Sequence, residues 1–151
     1  MDGTKTLIDH ARDAAQHSYA PRSLLHVGTA IQTANDIYQG ANFENDSYGA
    51  TICAERAAMA HVLAHEGQLN VGPEIRRIAL YAEWDSRLDT KPTLVTVSPC
   101  GICRQVLYQF APTAGVEFLL DGAYTTKTVQ ELLVHPFELA SLEGRGPERT
   151  S

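Results

Sequence analysis

Three cysteines, Cys53, Cys100 and Cys103, constrain this chain more than any other feature of its sequence. An odd, sparse set does not make the disulfide framework of a small secreted domain. In a reducing compartment the remaining uses of a thiol are metal binding, nucleophilic or redox chemistry, and inert burial as a small apolar side chain. Cys100 and Cys103 are three apart on a predicted helix and so share one face. Cys53 opens a second predicted helix. The partial positive charge of a helix N-terminus helps keep a sulfur ionised. Three thiolates on one ion leave one tetrahedral position open.

The ligand count then separates the readings. Structural zinc sites are closed by four protein ligands, whereas catalytic sites keep three and leave the fourth position to water. There is no fourth cysteine, although a histidine could close the site and make the zinc structural. Taken alone, Cys100-Gly101-Ile102-Cys103 after a strand also fits a redox pair. Glu55 tips the balance. Two residues past Cys53, it points away from that side chain. It is badly placed as a ligand and well placed to reach water beside the metal. Without the cysteines it would read as a solvated carboxylate near a favourable helix end.

The remaining sequence reads as one domain over residues 1–141, with a disordered tail expected from 142 to 151. Thr4 to Tyr19 has an amphipathic helical period that ends before Pro21. Leu25–Ala34 and Asp36–Phe43 form a predicted hairpin. Ile52–His65 is a predicted Ala-rich helix stopped by Gly67. Ile75–Trp84 and Thr93–Val97 are predicted strands. Ser98 as cap and Pro99 as first residue start a helix running to about Phe110. Val116–Leu120 and Thr128–Leu133 follow as a strand and a short helix. This order implies an α/β fold, a mixed sheet covered by helices.

Composition excludes several classes. Charged residues make up 20% and the net charge is −6. No basic cluster offers a polynucleotide a path, so nucleic-acid substrates are disfavoured. No apolar run reaches the roughly 20 residues of a membrane helix, and the N-terminus lacks a signal core. A cytoplasmic enzyme with a small-molecule substrate is expected. His61 and His65 share a helix face, but without a glutamate after His61 they read as surface histidines.

Cys53-Ala54-Glu55 followed by Pro99-Cys100-Gly101-Ile102-Cys103 resembles the zinc deaminase arrangement, in which the glutamate shuttles protons. With Gly40-Ala41-Asn42-Phe43-Glu44-Asn45, Ser47-Tyr48-Gly49 and Arg56-Ala57-Ala58, the chain resembles the small homotetrameric cytidine deaminases from about Tyr19 to Phe137. The resemblance implies a cytidine deaminase-like α-β-α sandwich, a five-stranded mixed sheet with helices on both sides. It implies Zn2+ on the three cysteines, with Glu55 carrying protons to N3 and to the leaving amino group of cytidine or 2′-deoxycytidine. It gives Arg56 to the thiolates, as hydrogen-bond donor; otherwise Arg56 would form a surface ion pair. Asn42 and Glu44 go to the ribose, and the carboxylate argues against a phosphate there. The Ala54 N–H anchors the base, while Tyr48 and Phe137 reach a neighbouring subunit's site.

The resemblance has gaps. Leu25 stands where the family usually has a base-stacking aromatic. Arg22, His26 and Asp46 also depart from the pattern, and the span from Cys53 to Cys100 looks longer, with the excess in Asp85 to Pro92. These departures leave the chemistry in place and open the substrate to a bulkier aminopyrimidine or another aminated nucleoside. A non-catalytic zinc module and a polynucleotide-editing deaminase also stay open at the level of sequence.

Overall fold

A computed structural model describes residues 5–68 and 72–138. Four helices, α1 (Leu7–Ala15), α2 (Ala54–Glu66), α3 (Gly101–Phe110) and α4 (Val129–Leu132), surround five strands. The strands are β1 (Leu25–Thr33), β2 (Ile37–Ala41), β3 (Ile75–Trp84), β4 (Gly115–Leu120) and β5 (Ala123–Thr128). They form one mixed sheet in the order β2-β1-β3-β4-β5, in which only β3 and β4 run parallel.

The sheet is covered on both faces because its residues alternate in size. Ala30 and Ala79 pack with Leu7 and Ala11 of α1 on one side. Ile31, Ile78 and Leu80 pack with Met59, Val62 and Leu107 of α2 and α3 on the other. Small residues let α1 lie close to the sheet. A Cβ on Gly28 would collide with the backbone of Ala11 and Ala15, and one on Gly40 with that of Ala58. The large-residue face holds the main core, where each fully buried aliphatic side chain stabilises by about 1.5–3 kcal/mol. That core clamps α2 to the sheet, and α2 in turn packs against α3.

Several elements differ from the sequence expectation. Helix α1 is capped by a reciprocal Thr6–Asp9 box but ends at Ala15. Tyr19 pairs in extended form, donating its N–H to Asn42 O and accepting from Glu44 N at 3.0 and 2.8 Å. Tertiary pairing overrides helical propensity there. Thr93–Val97 is no ladder strand; Val97 makes one isolated bridge to Leu119, and Val95 is exposed. The fifth strand is β5, joined to β4 by Asp121-Gly122, both with positive φ (49° and 83°). Helix α3 begins with Cys100 as cap. The Ser98 hydroxyl instead accepts a hydrogen bond from Arg104 Nη2 at 3.0 Å. The expected tail, 142–151, lies outside the described residues.

Candidate active site

Cys53 is the N-cap of α2 and Cys100 the N-cap of α3; Cys103 lies in the first turn of α3. Neither cap side chain bonds to its helix backbone. The sulfurs meet one another instead, Cys53 to Cys100 at 3.9 Å and Cys100 to Cys103 at 3.4 Å. All three lie within 4.8 Å of one another. Tetrahedral zinc with Zn–S bonds near 2.3 Å needs sulfurs about 3.8 Å apart, so the donor set fits. Among the described residues no His, Asp or Glu joins the group as a fourth ligand. Cys103 is buried, Cys53 half-buried and Cys100 exposed, which leaves the group open on the Cys100 side.

The environment favours a charged sulfur at Cys53. Cys53 is drawn down to about 5 by hydrogen bonds from the Cys103 and Cys100 thiols and by Arg56 beside it. Cys103, as donor to Cys53 and buried, moves up. Three thiolates would exceed the charge of a divalent ion; two helix N-termini and the Arg56 guanidinium lie where they could offset the excess. Arg56 anchors itself by donating from Nη2 to Thr51 O at 2.8 Å, while its buried Nε has no hydrogen-bond partner among the described residues.

Glu55 lies one residue into α2 beyond wholly buried Ala54 and is itself only 4% exposed. Burial raises its carboxyl to about 7. A buried carboxyl poised near neutrality can both take and give a proton. Ala54 occupies the first turn, where backbone N–H groups have no helical partner.

The expected substrate contacts form a second group. Asn42 Oδ1 accepts from Val27 N at 2.8 Å and Nδ2 donates to Leu25 O at 3.0 Å, tying the base of the hairpin. The Glu44 carboxylate accepts from the backbone N–H of Arg22 and Ser23 at 2.8 and 3.2 Å. Ser23 and these backbone donors hold it below the ordinary carboxylate value. Each side chain keeps free hydrogen-bonding capacity for a ligand. Glu44 lines a cavity of about 320 Å3 with Arg22, Ser23, Asn45, Tyr48 and Thr51. A larger groove of about 520 Å3, along β4, β5 and α4, includes none of the expected site residues. Half-buried Leu25 opens β1; Tyr48 and Phe137 are largely exposed, 75% and 70%.

Sequence reasoning missed what holds these groups. Gln105 on α3 grips the Phe137 backbone through both its amide atoms at 2.8 Å. Arg22 and Asp46, two departures from the family pattern, form an ion pair with each other, and Arg22 lies over the Tyr48 ring at 5.7 Å. Their joint departure was the available signal. His61 and His65 lie apart from the cysteine group, with Nδ1 facing Gln39 O and His61 O and both rings against Tyr38.

Three clustered cysteines near a buried carboxyl, on a helix-covered mixed sheet, fit a zinc-dependent hydrolase. Residues 1–118 match the family described as the cytidine and deoxycytidylate deaminase zinc-binding region. A cytidine deaminase from Halalkalibacterium halodurans is 38% identical over 134 residues, covering 87% of this chain and 91% of that protein. The crystal structure of cytidine deaminase from Burkholderia pseudomallei superposes with a TM-score of 0.73 at 34% identity, covering 87% of this chain and 96% of that one. A Blasticidin-S deaminase from Bacillus cereus is 28% identical over 109 residues, 72% of this chain and 74% of that protein. The chain belongs to the cytidine and deoxycytidylate deaminase family of zinc-dependent hydrolytic deaminases.

Proposed function

We propose that this enzyme converts cytidine and 2′-deoxycytidine to uridine and 2′-deoxyuridine, with release of ammonia, in pyrimidine salvage. The observation that carries this reading is the convergence of Cys53, Cys100 and Cys103 beside buried Glu55. Zinc, held by the three sulfurs, supplies the Lewis acidity that makes water a nucleophile near neutral pH. Glu55 takes one proton from the attacking water and passes it to N3 as the C4–O bond forms. It then takes the remaining proton from the C4 hydroxyl and delivers it to the amino group as the C4–N bond breaks, C4=O forms and ammonia leaves. One carboxylate thus acts as base and then as acid. Arg56 balances the sulfur charge. The Ala54 N–H anchors the base, Leu25 contacts its face, and Asn42 and Glu44 bind the ribose hydroxyls. Glu44 and the net negative charge favour a free nucleoside over a nucleotide or polynucleotide.

Exposed Tyr48 and Phe137, with Tyr19 and Phe43 also exposed, support assembly into a homotetramer in which Tyr48 and Phe137 complete a neighbour's site. Three free thiols support a cytoplasmic location. A second reading keeps the chemistry and enlarges the substrate to a bulkier aminopyrimidine nucleoside. It is favoured by Leu25, which lacks an aromatic face, and by the likeness to a Blasticidin-S deaminase. Ammonia release measured over a panel of nucleosides separates the two. The first reading expects cytidine and 2′-deoxycytidine to give the highest kcat/KM; a modified nucleoside at the top replaces it with the second.

A further inference from the structure

We propose that Asp85 is a positioning residue for nucleoside recognition, fixing Leu24, Leu25 and His26 where β1 begins. The proposal rests on the proposed function, in which Leu25, Asn42 and Glu44 meet the substrate.

Asp85 directly follows the last residue of β3 and is only 8% exposed. A buried carboxylate persists only where donors surround it. Oδ1 accepts from the Arg87 backbone N–H at 2.8 Å and from Arg87 Nε at 2.9 Å. Oδ2 accepts from Arg87 Nη2 at 2.6 Å and faces His26 Nε2 at 3.1 Å. These bonds hold the Asp85 carboxyl well below its ordinary value, Arg87 contributing most. The Asp85 backbone N–H donates to Leu24 O at 2.8 Å. Asp85 therefore grips both neighbours of Leu25, Leu24 through its backbone N–H and His26 through its carboxylate. The carboxylate's bonds to Arg87 and His26 hold that backbone N–H in place.

The grip meets a strained segment. Leu24 has φ of 57°, in the left-handed region that branched side chains rarely adopt. Such a conformation persists where its surroundings over-determine it. Leu24 N donates to Ala20 O at 3.0 Å on one side, and Asp85 binds the carbonyl on the other. From there the bonds continue into the site. Leu25 N donates to Ser23 Oγ at 3.1 Å, and Ser23 N to the Glu44 carboxylate. Leu25 O accepts from Asn42 Nδ2. A single hydrogen-bonded frame links Asp85 to the three expected nucleoside contacts on this side, and none of its bonds involves a cysteine or Glu55. Loosening it should weaken substrate binding and leave the chemical step alone.

The test is steady-state kinetics of Asp85→Ala in the zinc-loaded full chain, with metal content measured alongside. Hydrogen bonds to charged groups are strong enough that KM for cytidine should rise about tenfold, with kcat within about twofold and zinc unchanged. Asp85→Asn, which keeps an acceptor for the Arg87 N–H, should recover part of that rise. Leu7→Ala, a core truncation on α1, should lower the melting temperature and leave KM unchanged, which separates positioning from general loss of stability. An unchanged KM in Asp85→Ala, or a fall in kcat at constant KM, overturns the proposal. If Asp85→Ala does not fold, His26→Ala, which removes the side-chain link between Asp85 and β1, takes its place, and an unchanged KM there is equally fatal. If the wild type does not turn over cytidine, the substrate reading fails by itself. The same KM comparison then runs on the nucleoside that the ammonia panel returns.

Discussion

The two halves of the site are built differently. The metal half sits on the N-termini of α2 and α3, which the main core holds against the sheet. Glu55, the proposed proton carrier, is buried, and Arg56 lies beside Cys53. The proposed nucleoside half sits where β1 begins and on the segment following β2, with a strained Leu24 and with side chains of the second segment that bond to the backbone of the first. Packing fixes the first half; a hydrogen-bonded frame with exposed rims fixes the second. Chemistry and specificity should therefore respond to different mutations.

The largest effect belongs to the metal half. Cys103→Ala removes a buried ligand, so zinc content should fall below one per chain and ammonia release should be lost, measured by metal analysis and a coupled assay. In the nucleoside half, Leu25→Phe restores a stacking face. KM for cytidine should fall roughly fivefold or more, since base–aromatic stacking is worth about 1–3 kcal/mol, with kcat unchanged. A change in kcat with constant KM would erase the division between the halves.

The frame has its own signature in acid. A carboxylate held below its ordinary value stabilises the fold fully above that value, and loses this contribution as pH falls toward its folded value. The melting-temperature gap between wild type and Asp85→Asn should therefore hold above about pH 5 and close on acidification. The smallest effect is expected at the rim. Asp46 is 92% exposed in its ion pair with Arg22. Exposed pairs contribute about 0.2–1 kcal/mol, so Asp46→Ala should shift KM by less than about fivefold. A larger shift would mean that the rim helps set specificity.

The same division governs what the sequence revealed. The cysteine group and the Ala-rich α2 depend on local pattern, and both were legible; the burial of Glu55 was not. The α3 cap was not. Ser98-Pro99 is a good local start signal, yet Arg104 takes the Ser98 hydroxyl and the helix begins at Cys100. Strand β5 was missed because Ala123-Tyr124-Thr125-Thr126-Lys127-Thr128 is a polar edge strand with little apolar alternation. The Asp121-Gly122 pair before it was the stronger hairpin signal. Thr93–Val97 has β-forming residues but no ladder partner. Tyr19 left its helical pattern to pair with Asn42 and Glu44. The frame around Leu25 joins residues far apart in the chain, and no periodicity reports such contacts.

The most direct measurement is turnover and metal content of Glu55→Ala with cytidine in one preparation. The division between a chemical half and a recognition half predicts one zinc per chain, as in the wild type. It also predicts a fall in kcat of about a thousandfold, within the usual range for loss of a general acid–base group. Retained turnover with zinc in place would contradict the role assigned to Glu55.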